Sequence, residues 1–350
     1  MKYLKQFFLF FSLISLLVSC QEDRDALNSI PFVTLGAEQT GISFSNQLTY
    51  STGLNIIEYL YYYNGGGVAV GDINNDGLED LYFSANQLPD RLYLNKGNLT
   101  FEDISVSAGL DMEATWSNGV SLEDVNNDGF LDIYVTKVGL FNKNGSHNML
   151  YLNNGDNSFT EQSQAYGLNF SGFSTQATFF DYDRDGDLDM YLLNHGIHSI
   201  RSYGTTEKRS EKDSLSGDRF YENKLNEGKA FFEEVTEAAN ILSSPLGYGL
   251  AITASDINAD GWMDLYVGND FHENDYIYIN NKDKTFTESS STYINHSSRF
   301  TMGIDFADMN NDGLFDFFTT DMMPYDADIL LKSGGEDTDK VTQIKKDLGF

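Results

Sequence analysis

Short apolar runs alternate with acidic, glycine-containing segments along most of this chain. Val68-Ala69-Val70 enters one such segment and Leu81-Tyr82-Phe83 leaves it, while Ile133-Tyr134-Val135 and Leu265-Tyr266-Val267 leave two others. Runs of β-branched and aromatic residues this short predict strands, not helices. Further runs recur in phase. Leu92-Tyr93-Leu94-Asn95 matches Leu150-Tyr151-Leu152-Asn153, Phe220-Tyr221-Glu222-Asn223 and Ile277-Tyr278-Ile279-Asn280. Thr100-Phe101-Glu102-Asp103 follows the first of these, and Ser158-Phe159-Thr160-Glu161, Phe231-Phe232-Glu233-Glu234 and Thr285-Phe286-Thr287-Glu288 follow the others. Each unit therefore predicts strand, acidic loop, strand, strand, turn, strand. The loops start at Asp72, Asp124, Asp181, Asp256 and Asp308, separated by 52, 57, 75 and 52 residues. A period near fifty with four antiparallel strands per unit predicts an all-β fold, a β-propeller of four-stranded blades.

The five loops share the pattern D-x-[DN]-x-D-G-x-x-D: Asp72–Asp80, Asp124–Asp132, Asp181–Asp189, Asp256–Asp264 and Asp308–Asp316. Oxygen side chains at alternate positions, a glycine at position 6 and a closing aspartate describe a loop that wraps a hard cation. Calcium suits it best, because calcium accepts about six to eight oxygen ligands in flexible geometry, whereas magnesium prefers a tight octahedron and keeps its waters. Positions 1, 3, 5 and 9 are the candidate side-chain ligands and position 7 the candidate carbonyl donor. These are Asp72, Asn74, Asp76, Leu78 and Asp80 in the first loop, and Asp124, Asn126, Asp128, Phe130 and Asp132 in the second. The third has Asp181, Asp183, Asp185, Asp187 and Asp189, the fourth Asp256, Asn258, Asp260, Trp262 and Asp264, the fifth Asp308, Asn310, Asp312, Leu314 and Asp316. The third is the most charged and is expected to bind tightest. An EF-hand needs a bidentate Glu at position 12, and here that position holds Phe83, Val135, Leu192, Val267 and Thr319. A metal-free Asx turn is the plain alternative; five copies in register weigh against it.

These units resemble FG-GAP or VCBS-type repeats, the calcium-loop blades of integrin α-chain propellers and of many bacterial surface proteins. The resemblance covers roughly residues 60–325. Tyr63-Asn64-Gly65-Gly66-Gly67-Val68-Ala69-Val70-Gly71-Asp72 also resembles the opening of bacterial FG-GAP proteins that elsewhere carry an ASPIC/UnbV-type C-terminal domain. The resemblance implies structural calcium ions at one end of the propeller. It leaves function open, because propellers host adhesion, scaffolding and some polysaccharide-lyase activities.

The expected organisation is a signal peptide over 1–19, a tether over 20–45, the propeller over 46–325 and a C-terminal segment over 326–350. Four full units and a fifth that stops after Phe317-Phe318-Thr319-Thr320 leave two expectations open. Either the chain is the N-terminal part of a longer propeller protein, or a five- or six-blade ring closes with strands from residues 30–67.

Formal net charge is −31, from 22 Lys and Arg against 53 Asp and Glu. Sixteen of the aspartates occupy ligand positions, so their mutual repulsion without a cation destabilises the compact state. Acidity of this size excludes nucleic acid, which demands a basic face. At the N-terminus, Lys2 and Lys5 precede an apolar stretch, Phe7–Val18, of signal-peptide length and too short for a comfortable membrane span. Leu17-Val18-Ser19-Cys20 resembles a bacterial lipobox, which implies cleavage before Cys20 and lipidation of its sulfur. Cys20 is the only cysteine, so no intrachain disulfide forms. The acidic Gln21-Glu22-Asp23-Arg24-Asp25 resembles the surface-export signal of Bacteroidetes lipoproteins, so the expected address is the outer membrane, exposed at the cell surface. Extracellular calcium modules work with Kd of roughly 10⁻⁴–10⁻³ M.

Other residues carry weaker signals. The insertion His195–Asp218 contains Arg201, Lys208, Arg209 and Lys212, a candidate contact for an anionic glycan or partner, though a solvated loop is the default. His195 and His198 lack a third zinc ligand. Asp270-Phe271-His272-Glu273-Asn274-Asp275 is expected to be a solvated loop or a polar pocket rim. Tyr59, Tyr61, Tyr62 and Tyr63 fit strand packing of the first blade better than a carbohydrate platform. No phosphate loop, nucleophile elbow or cysteine nucleophile is present. The expected function is non-catalytic binding of a protein or glycan by a calcium-stabilised, lipid-anchored propeller; the alternatives are a polysaccharide-acting enzyme or a piece of a larger surface protein.

Overall fold

A computed structural model describes residues 32–139, 146–196, 206–271, 273–298 and 300–322. The chain divides into two compact units, Met1–Gly41 and Ile42–Phe350. In the first, the described part contains one helical turn, Ala37–Thr40, which ends at Gly41 in the left-handed region. All strands lie in the second.

Four consecutive four-stranded antiparallel sheets and one two-stranded sheet follow the predicted units. The first unit is β1 Val68–Gly71, β2 Asp80–Phe83, β3 Arg91–Asn95 and β4 Phe101–Asp103. The second is β5 Ser117–Glu123, β6 Asp132–Lys137, β7 Met149–Asn153 and β8 Phe159–Glu161. The third is β9 Ser174–Phe180, β10 Asp189–Asn194, β11 Arg219–Asn223 and β12 Phe232–Glu234. The fourth is β13 Gly249–Ser255, β14 Asp264–Asn269, β15 Tyr276–Asn280 and β16 Phe286–Glu288, and the fifth is β17 Thr301–Ala307 with β18 Asp316–Asp321. Strand order within each sheet follows the chain. First strands touch first strands of the next unit, β1 to β5, β5 to β9, β9 to β13 and β13 to β17, so they form the inner wall of a β-propeller.

The alternation of side chains along each strand explains why the apolar runs are continuous. Successive residues point to opposite faces, and in the second, third and fourth units both faces are covered. On β6, Ile133 and Val135 pack with Tyr82, Leu92 and Leu94 of the first unit, while Tyr134 packs with Phe179, Met190 and Leu192 of the third. On β10, Tyr191 and Leu193 turn the other way, to Leu265 and Val267 of β14. Tyr266 then meets Phe306 and Phe317 of the fifth unit, with ring centroids 6.2 and 5.4 Å away. The core is thus a series of slabs between sheets, and no unit has a core of its own. Near the axis the strands come so close that Gly119 is required. A Cβ there would lie 2.7 Å from the Thr175 carbonyl oxygen.

Residues 32–67 contain no strand, only an isolated bridge between Ser51 and Leu54. They do not contribute strands to a blade. Tyr61–Tyr63 lie in turns and Tyr59 in irregular backbone, not in the expected first-blade strand. Tyr59, Tyr61 and Tyr62 are buried with Trp116, Phe173 and Tyr248, which come from three other units, while Tyr63 is exposed. The tyrosines therefore seal the ring end across several blades, where one large ring buries apolar area against many neighbours.

A second repeated position escaped the sequence reading. The residue before each third strand is Asp90, Asn148, Asp218 or Asp275. Asp218 accepts the Tyr191 hydroxyl at 2.8 Å and the Asn194 N–H at 2.9 Å. Asp275 accepts the Tyr266 hydroxyl at 3.0 Å, the Asn269 N–H at 2.8 Å and the Thr301 hydroxyl of the next unit at 3.0 Å. Asp90 does the same with Tyr82, Ala85 and Ser117. Burial holds all three carboxyls above the usual carboxylate range, and Asp218 is pushed up to about 7. A raised folded-state value favours the neutral form, so the contribution of Asp218 to stability is complete at acid pH and is lost as pH rises through about 7. Asp218→Asn removes that loss. In urea unfolding in metal-free buffer, the stability of the variant relative to the parent is expected to improve steadily from about pH 4 to pH 7. Parallel pH profiles would contradict it.

Candidate metal centres

Each acidic loop is the hairpin between the first and second strands of a unit. Position 9 is the first residue of the second strand, and it pairs with the last residue of the first. The pairs are Asp80 with Gly71, Asp132 with Glu123, Asp189 with Phe180, Asp264 with Ser255 and Asp316 with Ala307. Two left-handed residues make the turn. Position 4 has φ between 56° and 61° (Asn75, Asn127, Arg184, Ala259, Asn311), and the position 6 glycines have φ between 84° and 95°. The glycine is needed because a Cβ is strained there.

The first aspartate gathers the loop. Asp72 accepts the Asp76 and Gly77 N–H groups at 3.0 and 2.7 Å, and Asp124, Asp181, Asp256 and Asp308 repeat this pair. The last aspartate ties the loop to the sheet. One Asp80 oxygen accepts the Ile73 N–H at 3.1 Å and the other accepts the Asn95 N–H of β3 at 2.7 Å. Asp132, Asp189 and Asp264 are bonded in the same way to Asn153, Asn223 and Asn280. The four are essentially inaccessible to solvent. Burial raises Asp80, and pushes Asp132 to about 7, Asp189 to about 9 and Asp264 to about 6. Carboxyls so placed resist ionisation unless a cation joins them, and a divalent ion inverts that preference.

The donor set fits such an ion. In the third loop, carboxylate oxygens of Asp181, Asp183 and Asp189 lie within 4.8 Å of one another. In the other loops asparagine replaces the aspartate at position 3, which keeps an oxygen donor and removes a charge. Asp187 departs from its expected role as a carbonyl donor alone. Its side chain is buried, one oxygen accepts the Asn226 N–H at 3.0 Å, and the other has no hydrogen-bond partner among the described residues. Lys284, from the fourth unit, brings its ammonium 2.7 Å from Asp183 and 2.7 Å from Glu222, offsetting part of the extra charge in this loop.

The loops are also joined to one another. The Asn153 amide donates to Leu131 of its own loop at 3.0 Å and to Ile73 of the first loop at 2.7 Å. Asn223 bridges Leu188 and Val125, and Asn280 bridges Met263 and Tyr182. Asn75 reaches Gly129 at 2.9 Å and Asn127 reaches Gly186 at 3.3 Å. Where position 4 is Arg184, its guanidinium lies 4.6 Å from the ring centre of Trp262 in the fourth loop. Asn153, Asn223 and Asn280 were legible as the last residue of a recurring strand block, but their role across the blade interface was not.

The weaker candidates are placed differently. His195 is buried against Tyr61, Phe173 and Tyr248, and shares a hydrogen bond of 3.2 Å with Tyr59. Burial lowers its pKa to about 4. Among the described residues no metal-binding group forms around it, and His198 lies outside those residues, as do Arg201, Cys20 and residues 326–350. Asp270 is buried, not solvated, and accepts the Tyr61 hydroxyl at 3.2 Å. Of the basic residues in the insertion, Arg209 pairs with buried Glu273 at 2.7 Å and Lys212 pairs with Glu237 at 2.7 Å. Both charges are satisfied by the chain itself.

A family model described as the FG-GAP-like repeat matches residues 72–135, 138–192 and 256–319. Cartilage acidic protein 1 of Xenopus tropicalis is 30% identical over 230 residues, which cover 64% of this chain and 31% of that protein. Its Mus musculus counterpart is 29% identical over 206 residues, 58% of this chain and 28% of that protein. The chain thus spans about 31% or less of the length of these relatives. A solved structure described as specific recognition of non-reducing terminal N-acetylglucosamine by an Agrocybe aegerita lectin is 17% identical, with a TM-score of 0.40 over 72% of this chain and 59% of that one.

Removing one bridging amide leaves buried carbonyls without donors. Asn223→Ala is expected to destabilise the metal-free protein by about 1–3 kcal/mol. Asn281→Ala, an exposed position bonded only to Thr285 and Thr287, is expected to cost less than about 0.5 kcal/mol. Urea unfolding compares the two, and equal losses would remove the bridge from the account.

Proposed function

Because the chain belongs to the FG-GAP-like repeat family, we propose that it is a calcium-stabilised β-propeller that binds a protein or glycan partner without catalysing a reaction. The observation that carries this reading is the convergence of Asp181, Asp183 and Asp189 in a loop whose geometry recurs five times. Calcium supplies the positive charge that gathers these oxygens. The rest is done by the chain. Position 1 holds the turn, position 9 fixes the turn to two strands, and the bridging asparagines link it to the next blade. Calcium in one loop therefore stiffens a blade interface and not a surface turn alone. With Asp present at position 3 and three carboxylates already converging, the third loop is the first to fill, and Lys284 moderates its charge.

The test is thermal unfolding of residues 21–350 in millimolar calcium, in magnesium at equal ionic strength, and in chelator. At calcium ten to one hundred times Kd, each occupied loop adds about 1.4–2.7 kcal/mol. A rise in Tm specific to calcium, reduced by Asp189→Asn, is expected. An unchanged Tm in calcium would refute the metal reading.

The address is part of the same proposal and rests on the residues around Cys20. The protein is anchored in the outer membrane by lipid on Cys20, with the propeller outside the cell, where calcium is abundant enough for weak sites. Metabolic labelling with a radiolabelled fatty acid should tag the full chain and not Cys20→Ser. Protease added to intact cells should remove the propeller. Absence of label, or protection from protease, would overturn the corresponding half.

A further inference from the structure

The end of the propeller opposite the metal loops contains a cavity of about 420 Å³ on the axis. Each inner strand meets it at its first residues: Val68 of β1, Gly119 and Val120 of β5, Thr175 and Gln176 of β9, Leu250 of β13 and Met302 of β17. The same strands leave at their far ends into the metal loops. Tyr59, Tyr61 and the Gly65–Gly67 turn complete the wall.

Among the described residues, the lining carries no Asp, Glu, Lys, Arg or His. In a chain of net charge −31 that is a pronounced local exception. A charged ligand would lose its water here without an opposite charge to meet. A purely apolar ligand would cover the Gln176 side-chain amide and leave it unsatisfied. The cavity thus selects an uncharged ligand with both hydroxyl groups and an apolar face. Its own groups alternate in the same way, with Asn118, Thr175 and Gln176 between Val68, Val120, Leu250 and Met302.

Part of this wall is held in place beforehand. The Asn118 amide donates to the Ser174 carbonyl at 2.8 Å, and the Thr175 hydroxyl donates to the Gly249 carbonyl at 2.8 Å. Tyr61 is held by Asp270 and Tyr59 by His195. The side-chain amide of Gln176, in contrast, has no hydrogen-bond partner among the described residues. It offers a donor pair and an acceptor beside a rigid aromatic and aliphatic wall. Prior fixing of the wall lowers the entropy cost of binding. The volume lies within the span of about 300–1,000 Å³ of small-molecule sites.

The geometry points to this axial cavity as the binding site for a neutral saccharide residue, with Gln176 as the residue that hydrogen-bonds its hydroxyls. A pyranose presents hydroxyls on its rim and C–H groups on its face, which matches amides and hydroxyls interleaved with Val, Leu and Met. The inference rests on the proposal that the propeller binds a partner, and it narrows that partner to glycan. It does not rest on calcium.

The experiment is ligand-observed saturation-transfer NMR, followed by calorimetry, on the full chain in millimolar calcium. The probes are glucose, galactose, mannose, lactose and cellobiose, with glucuronate and N-acetyl-alanyl-alanine amide for comparison. Gln176→Leu removes the amide at similar size, Gln176→Glu puts a charge into the neutral wall, and Asn281→Ala is the distant control. The expected result is one-to-one binding of at least one neutral sugar, weakened tenfold or more by both Gln176 variants and unchanged by Asn281→Ala. The melting curve of each variant in calcium must match the parent, so that a folding defect is not read as lost binding. Binding that survives both Gln176 variants would place the glycan elsewhere and overturn the cavity while sparing the binding proposal. Preference for glucuronate or for the capped dipeptide would overturn the neutral-sugar assignment. No binding by a protein that melts cooperatively would overturn it too. Sugar binding without a calcium effect on Tm would leave this inference standing and sink the metal reading.

Discussion

One buried aspartate in each four-stranded blade, at the ninth position of the acidic loop, connects everything else in this structure. It begins the second strand, accepts an N–H from inside its own loop and accepts another from the end of the third strand. Loop, hairpin and sheet therefore share one carboxylate. Burial makes that carboxylate costly to ionise, and the same burial makes it a strong ligand once a cation is present. A structural cation of this kind acts on the folded state alone, because the unfolded chain does not assemble the donors.

The blades depend on one another as closely as each depends on its aspartate. Both faces of every interior sheet are covered by a neighbour, and the cores lie between units. At the loop end, asparagine amides carry hydrogen bonds from one loop to the next. At the other end, tyrosines from residues 59–62 seal against several blades at once. The two ends differ in electrostatic character. One collects the acidic loops, and the other carries a cavity with no charged lining among the described residues.

The repeat, the strand order and the loop chemistry were legible because they are local. A glycine that must adopt positive φ, and oxygens at alternate positions, show themselves within nine residues. The four-strand order follows from runs that recur in phase. Other readings failed where the deciding neighbour is distant in sequence. Tyr59, Tyr61 and Tyr62 look like a strand, and they are drawn into a cluster by Trp116, Phe173 and Tyr248. Asp270 looks like a solvated loop residue until Tyr61, 209 positions earlier, is found donating to it. Arg209 and Lys212 look free, yet Glu273 and Glu237 satisfy them.

By itself, then, the sequence determined the all-β repeat and the five acidic loops between first and second strands, since strand period, turn stereochemistry and side-chain spacing all act over a few residues. Only the tertiary structure decided which aspartates are buried, which asparagines join the loops, and where the neutral axial cavity lies. Those properties depend on groups brought together from separate blades, and the packing of one sheet on the next is what brings them within a hydrogen bond of each other.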